Sequence, residues 1–369
     1  MGNWIFRGVG LIRKFVADGG DARPGSTAGG RLNAGPRGKI RLGAAMQNFG
    51  RILVAIGLMG WAALVTAHAA DGGRVQALKI TVLSTMLADG DELGEWGFAA
   101  LVEADGHRIL FDTGAKTDVV LRNARSLGVD LSTVPDVILS HSHWDHTGGF
   151  MTLRKSVMEK TPAALARTHV GEGIFLPRSS SVPRVKDLSM VALKGEYEAT
   201  GGKFVSHAQP VQLYPGVWLT GPVPRKYPER NWSGSRLVTT STGEAEDNLP
   251  EDMALVLDTA QGLVVLTGCG HAGVINTIEH ARTAVRPVRV HALIGGVHLF
   301  NAKEDTLKWT AEKLRGFGLD HLLGAHCTGI EVVYRLRADL GLNRAHAVVA
   351  AVGAKFELGR GLDPRTIAK

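Results

Sequence analysis

The stretch "PDVILSHSHWDHTGGF", residues 135–150, places three histidines and an aspartate within six positions, directly after a short apolar run. An apolar run of this length is typical of a strand buried inside a sheet. The glycine pair at 148–149 opens a predicted helix that extends to about residue 159. The polar cluster therefore lies on a strand-to-helix loop at the carboxyl edge of a predicted α/β sheet, which is where such sheets bind ligands.

The side chains of His141, His143, Asp145 and His146 can converge from this loop on a metal ion. Imidazole nitrogen and carboxylate oxygen suit zinc, iron or manganese, and three protein ligands with an open position are typical of catalytic metal sites. The alternative is a hydrogen-bonded histidine cluster in a turn. A single histidine here would be explained by such a turn, whereas the whole H-x-H-x-D-H spacing favours a metal centre.

Strands and helices alternate on both sides of this loop. Three β-rich runs between residues 78 and 114 predict a meander, and regular alternation of strands and helices resumes after residue 250 and continues to about 352. The stretch 160–250 is rich in proline, serine and glycine and loses this alternation. We expect it to be a loop-rich insertion that forms a lid over the site.

The basic charge of the chain belongs to its amino-terminal part. The net charge is +7, but residues 1–45 contain eight Lys and Arg against two Asp, and the chain from Ala70 onward carries no net charge. A neutral body disfavours a nucleic-acid partner, so we expect a small-molecule substrate. The sequence does not predict the oligomeric state.

Residues 46–69 have the pattern of a secretory signal peptide: Arg51, an apolar run, and an A-x-A cleavage signal at 67–69. The alternative is a single membrane anchor. We expect cleavage, no stable membrane anchor afterwards, and a periplasmic or secreted mature protein. Residues 1–45 are then either disordered or an over-extended start that precedes the true one at Met46.

The two cysteines each stand beside a histidine. Cys269 lies in "GCGH" (268–271) and Cys327 lies in "HCTG" (326–329). Export permits a disulfide between them, but a role in the site is at least as consistent with their neighbours. The sequence leaves both alternatives open.

The motif after "PDVILS", together with "ILFDTG" (109–114) upstream, resembles the metallo-β-lactamase superfamily. The resemblance implies a single-domain, four-layer αββα sandwich over residues 77–355, with one or two metal ions between the edges of its two sheets. The segments "GPVPR" (221–225), "IGGVHL" (294–299) and "GAHCTG" (324–329) are similar to one branch of it. That branch is labelled 7,8-dihydropterin-6-methyl-4-(β-D-ribofuranosyl)aminobenzene-5′-phosphate synthase-like.

The resemblance also implies which residues hold the metal. A first ion would be bound by His141, His143 and His271, and a second by Asp145, His146 and His326. Cys269 stands where most relatives have the aspartate that bridges both ions, so it is a ligand, a residue behind the ligands, or neither. We expect one or two zinc ions, with iron or manganese as alternatives. Asp112 either orients a ligand imidazole or caps the turn at 113–114.

These features predict an exported metallo-hydrolase that uses metal-bound hydroxide on a small ester, lactone, lactam or phosphoester. Asp145 would orient the nucleophile and pass its proton to the leaving group, and a second metal ion or His298 would stabilise the developing negative charge. The alternatives are a pterin-related synthase or transferase, and a non-catalytic metal-dependent binding protein. Eight other histidines are expected to play no part: His68, His107, His169, His207, His280, His291, His321 and His346.

Overall fold

The computed structural model describes residues 73–180, 190–232 and 236–369. The predicted start segment 1–45 and the predicted signal peptide 46–69 lie outside these residues. None of the helices within the described ranges has the length and apolar character that a membrane crossing needs.

The first sheet has eight strands, in the order β18-β17-β1-β2-β3-β4-β5-β7. They are β1 (Leu78–Ser84), β2 (Ala99–Ala104), β3 (His107–Phe111), β4 (Asp136–Leu139), β5 (Arg167–Gly171), β7 (Lys203–His207), β17 (Lys355–Glu357) and β18 (Gly361–Asp363). The meander β1-β2-β3 is antiparallel, as the sequence predicts, and β3, β4, β5 and β7 run parallel.

The second sheet has seven strands, in the order β16-β15-β14-β13-β12-β9-β8. They are β8 (Val211–Tyr214), β9 (Val217–Leu219), β12 (Leu255–Thr259), β13 (Gly262–Thr267), β14 (Val290–Gly295), β15 (His321–Gly324) and β16 (Ala347–Val349). An antiparallel hairpin forms between β12 and β13, and β13 to β16 are parallel.

Seven helices and a third, smaller sheet complete the described structure. The helices are α1 (Val119–Ser126), α2 (Trp144–Thr147), α3 (Phe150–Met158), α4 (Val191–Glu198), α5 (Val274–Ala284), α6 (Glu304–Gly316) and α7 (Ile330–Leu340). Short 3₁₀ turns lie at Leu131–Thr133, His326–Thr328 and Thr366–Ala368. The third sheet pairs β6 (Arg178–Ser180), β10 (Arg236–Thr240) and β11 (Gly243–Glu246).

Three apolar clusters define the layers. Ile80 on β1 and Leu255 on β12 belong to the cluster that fills the space between the two large sheets. Val265 on β13 packs with Leu314 of α6 on the outer face of the second sheet, and Leu153 of α3 packs on the outer face of the first. Helices therefore cover both outer faces, which gives the four-layer αββα sandwich that the sequence predicts.

The stretch 160–250 differs from the expected loop-rich insertion. Its strands β5 and β7 extend the first sheet and β8 and β9 extend the second, so that only β6, β10 and β11 stand apart from the sandwich. These strands have three to five residues each, which is too short to show a periodic pattern between prolines and glycines. The first sheet also continues past residue 355, through β17 and β18.

Candidate metal centre

Five strands from the two sheets end at one edge of the sandwich, and each is followed by a polar residue. Asp112 follows β3, His141 follows β4, and the segments that carry His271, His298 and His326 follow β13, β14 and β15. The carboxyl ends of strands from both halves of the chain therefore bring the predicted site residues together.

His141, His143 and His271 form the first group. Each pair of rings has its centroids 4.7 Å apart, and Nε2 of His271 lies 3.2 Å from Nδ1 of His143. This is the set of histidines that the resemblance implies for a first metal ion.

Asp145, His146 and His326 form the second group. Oδ2 of Asp145 lies 3.2 Å from Nε2 of His326 and 3.9 Å from Nε2 of His146. The rings of the two histidines are 5.0 Å apart. The second set of predicted ligands therefore also comes together, next to the first.

Cys269 lies between the two groups. One nitrogen each of His141 and His271 lies within 4.8 Å of its sulfur and of each other, and the same holds for His146 and His326. Its Sγ is 3.1 Å from Nε2 of His146. The sulfur of Cys269 is therefore close to histidines of both groups, and Cys269 would be available as a further ligand to a metal held by either group.

Both cysteines are free thiols, and their sulfurs lie 3.2 Å apart. The disulfide that the sequence left open is therefore not formed. Burial and the neighbouring Cys327 raise the pKa of the Cys269 thiol. The sequence placed only Cys269 among the ligand candidates. Cys327 also approaches the centre, because one nitrogen of His298 and both sulfurs lie within 4.8 Å of one another.

The buried carboxylate of Asp112 orients one histidine of each group. It accepts a 2.7 Å hydrogen bond from Nδ1 of His146 and a 2.8 Å bond from the hydroxyl of Ser140. That hydroxyl oxygen lies 2.9 Å from Nδ1 of His141 and can accept its proton. Since both Nδ1 atoms then carry hydrogen, the Nε2 lone pairs are left to bind a metal. Of the two roles considered for Asp112, these contacts are those of a carboxylate that orients ligands.

The backbone at this edge is held in an unusual conformation. Asp112, His298 and His326 have positive φ values of 55°, 49° and 46°, a region that residues other than glycine seldom occupy and that costs free energy. At Gly268 a Cβ atom would lie 2.1 Å from Oγ of Ser140. The glycine is therefore needed for β13 to approach the Asp112–Ser140 pair.

Burial determines the protonation of the first group. It lowers the pKa of His141 well below the usual value, with the charges of neighbouring histidines adding to the effect. Burial and then the positive charge of Arg236 lower the pKa of His143. Burial and the charge of His143 do the same for His271. These imidazoles are therefore neutral, which is the form that binds metal.

The second group is charged. Burial lowers the pKa of His146, but the carboxylates of Asp112 and Asp145 outweigh it and raise that pKa to about 9. Binding of a metal ion at Nε2 of His146 would therefore release the proton that this atom carries. Burial raises the pKa of Asp145, yet His146 and His326 hold it well below its usual range. Asp145 is therefore a carboxylate, available as a ligand or as a proton acceptor.

The donor set fits a metal ion because it leaves buried imidazole nitrogens without partners. Nε2 of His141, Nε2 of His143, Nδ1 of His298 and both ring nitrogens of His326 are buried and make no hydrogen bond within the described structure. An unpartnered buried polar atom costs free energy. Since a neutral imidazole offers one lone pair, metal ions that accept one lone pair each from His141, His143 and His326 would account for three of these atoms, and Nδ1 of His298 can instead carry a hydrogen.

The asparagine substitution Asp112→Asn tests the orienting role. Loss of the charged acceptor for His146 is expected to weaken metal binding by about 10- to 100-fold. Asparagine also tolerates a positive φ, so the backbone at this position is retained. Competition with a chelating indicator measures the affinity, and Asp118→Asn, at an exposed carboxylate on the surface, is the matched control. An affinity equal to that of the wild type would contradict the assignment.

A buried arginine behind the loop was not anticipated from the sequence. Arg178 on β6 pairs with Asp247 at 2.9 Å and with Glu251 at 2.5 Å, and all three side chains are inaccessible to solvent or nearly so. The other oxygen of Glu251 accepts the backbone N–H of Ser142 at 3.1 Å. The third sheet is thereby connected to the loop that carries His141 and His143.

Exposed aromatic side chains border the centre. Trp96 and Phe300 are 42 % and 40 % exposed, and their rings meet edge to face with centroids 5.5 Å apart. The ring of Trp96 is 5.0 Å from that of His326, and Phe300 is 5.3 Å from His298. Neither residue lies in a motif, so only the folded chain identifies this apolar rim.

A four-layer sandwich with His, Asp and Cys side chains gathered at one sheet edge is the architecture of the metallo-β-lactamase fold, which this chain shares. Residues 97–206 match the sequence profile described as the Metallo-beta-lactamase superfamily. A crystal structure described as a metal-dependent hydrolase of the beta-lactamase superfamily superposes with a TM-score of 0.60 at 26 % identity, covering 75 % of this chain and 98 % of the other.

The chain is also similar to two proteins of Methanocaldococcus jannaschii. It is 26 % identical to the 7,8-dihydropterin-6-methyl-4-(beta-D-ribofuranosyl)-aminobenzene-5'-phosphate synthase over 273 residues, covering 70 % of this chain and 90 % of the synthase. It is 24 % identical to an uncharacterized protein over 241 residues, covering 65 % and 86 %. The similarity to this synthase, over most of the length of both chains, thus confirms the resemblance to this branch.

Proposed function

We propose that the protein is a metal-dependent hydrolase of a small ester, lactone, lactam or phosphoester. The unpartnered imidazole nitrogens of His141, His143 and His326, in a cluster that also contains Cys269, carry this proposal. The similarity to a structure described as a metal-dependent hydrolase supports it. When bound, a divalent ion would supply a polarised water and a Lewis acid. Zinc suits a mixed imidazole, carboxylate and thiolate donor set.

The residues of the chain divide the remaining work. Asp145 is ionised and close to both histidines of its group, so it can orient a water molecule and carry its proton to the leaving group. His298 faces the first group with its ring 4.6 Å from that of His271. Its unpartnered Nδ1 can donate a hydrogen bond to an oxygen that gains negative charge.

Metal content and turnover measured together test the proposal. We expect protein stripped with a chelator to lose activity on a panel of carboxylic ester, lactone, lactam and phosphodiester substrates, and to regain it when zinc is restored. Manganese and iron are tested alongside zinc. Bound metal without turnover of any panel member would contradict hydrolysis. It would favour the alternative of a non-catalytic, metal-dependent binding protein.

A second candidate is a pterin-related synthase or transferase, favoured by the similarity to the synthase from M. jannaschii. The exposed rings of Trp96 and Phe300 could stack on a planar heterocycle. The cation of Arg236, which acts on His143, could attract a phosphate. Incubation with a ribofuranosyl aminobenzene phosphate and a reduced pterin that carries a leaving group on its 6-methyl carbon tests this candidate. A condensed product, with no turnover on the hydrolytic panel, would replace the first proposal.

We further propose that the protein acts on a small molecule outside the cytoplasm. The neutral charge of the chain from Ala70 onward and the signal-peptide pattern at 46–69 support this. Amino-terminal sequencing of the native protein is expected to find a mature end near residue 70. A mature end far from that position would contradict export by this signal.

A further inference from the structure

A second group of histidines lies at the opposite end of the second sheet. His291 is the second residue of β14, His321 begins β15, and His346 directly precedes β16. In the parallel register His321 pairs with Ala292 and Leu322 pairs with Ala347, so the three histidines stand side by side. They occupy the amino edge of these strands, whereas the candidate metal centre lies at the carboxyl edge.

Oxygen atoms fix the orientation of all three rings. Nδ1 of His291 lies 3.1 Å from the Asp320 carboxylate, and Nδ1 of His346 lies 3.1 Å from the Asp320 carbonyl oxygen. Nδ1 of His321 lies 3.3 Å from the carbonyl oxygen of His291. Because these oxygens only accept, each Nδ1 carries the hydrogen and each Nε2 keeps its lone pair. Metal-binding histidines are held in this way.

The groups are also close to one another. One donor atom each of His291, Asp320 and His321 lies within 4.8 Å of the other two, and the ring of His346 stacks on that of His321 at 4.7 Å. A Cβ at Gly361 would lie 3.3 Å from Nε2 of His321, so the glycine leaves space beside that nitrogen. His321 and His346 are half-buried and reachable from solvent.

The histidine pair His169 and His207 lacks these features. Nδ1 of His169 lies 2.9 Å from Nε2 of His207, and Nε2 of His169 lies 3.3 Å from Asp136. Asp136 also pairs with Arg167. Both ring nitrogens of His169 are therefore engaged, and that cluster offers no such set of lone pairs for a metal.

We propose that His291, His321 and His346 bind a divalent transition-metal ion at the amino edge of the second sheet, with the Asp320 carboxylate orienting His291. Imidazole ligands suit zinc, nickel and copper. Arg289 pairs with the other oxygen of Asp320, which keeps that carboxylate in place as the acceptor. The ion would join the starts of three adjacent strands, and the site is independent of the centre at the carboxyl edge.

Zinc counts on single-residue variants test this site. Stripped protein is dialysed against a buffered concentration of free zinc, and bound zinc is measured by elemental analysis. We expect His321→Gln and His346→Gln each to bind one equivalent less than the wild type. His107→Gln, at a half-buried histidine that stacks on Tyr214, is the matched control and should bind the wild-type amount.

A wild-type zinc count in both folded variants would overturn the proposal. Circular dichroism establishes that each variant is folded, and the half-buried His346 decides the matter if His321→Gln does not fold. Because the readout is bound metal rather than turnover, it does not depend on the activity of the other centre. Asp320→Asn is expected to weaken the same binding step by about 10- to 100-fold.

Discussion

Replacing His143 with alanine is expected to remove one metal equivalent and to reduce turnover by about a thousandfold or more. Nε2 of His143 is buried without a partner, and its ring packs against those of His141 and His271. Alanine therefore leaves the first group with two imidazoles. A thousandfold loss corresponds to about 4 kcal/mol of transition-state stabilisation, which is within the range that a metal ion contributes.

Elemental analysis and steady-state kinetics on the same preparation measure both effects of His143→Ala. The metal count tests the ligand assignment even on a substrate that is turned over slowly. His107→Ala, at another half-buried histidine, should retain metal and activity. An alanine variant at position 143 that keeps the full metal content and full activity would refute this site.

The ligand loop could be predicted from the sequence because its information is local. Four candidate ligands fall within six residues, and a buried strand followed by a helix places them at a sheet edge. His326 and His271 lie far along the chain and were predicted only through the resemblance to a family. The structure brings them to within hydrogen-bonding or ring-contact distance of the loop.

The remaining features depend on which side chains meet after folding, and no sequence pattern specifies that. Cys327 approaches Cys269 because β13 and β15 end at the same edge of one sheet. Arg178 lies on a three-residue strand within a stretch that was expected to be a loop-rich lid. His321 and His346 were expected to be ordinary because neither lies near a motif. Their proximity arises only from the parallel register of β15 and β16.

The second large effect is expected at Arg178, where the measurement is stability rather than metal. Arg178→Ala leaves the buried carboxylates of Asp247 and Glu251 without their cation. Removing one partner from a buried ion pair costs about 3–5 kcal/mol. Urea unfolding of metal-stripped protein measures this cost, since bound metal would otherwise add its own stabilisation.

The stability that the protein loses in Arg178→Ala should also depend on pH. Burial raises the pKa of Glu251, and the charge of Arg178 opposes that rise, so the folded-state pKa moves further above its unfolded value in the variant. Below the pKa of Glu251 in the unfolded chain, the carboxyl is protonated in both states and costs the variant no stability. As the pH rises through the pKa of Glu251 in the folded chain, the variant loses stability. The free energy of unfolding of Arg178→Ala should accordingly fall further below that of the wild type at pH 8 than at pH 5.

A triple variant separates an uncompensated charge from the loss of the hydrogen bonds that the arginine donates. Replacing the whole network with Arg178→Met, Asp247→Asn and Glu251→Gln removes every charge while keeping similar volumes, and such replacements are often close to neutral. We expect it to recover most of the lost stability and to show no pH dependence from this network. If the triple variant is as unstable as Arg178→Ala at both pH values, the loss comes from the hydrogen bonds that Arg178 donates to the carbonyl oxygens of Ile174 and Leu176. In that case the link from Arg178 through Glu251 to Ser142 does not stabilise the ligand loop electrostatically.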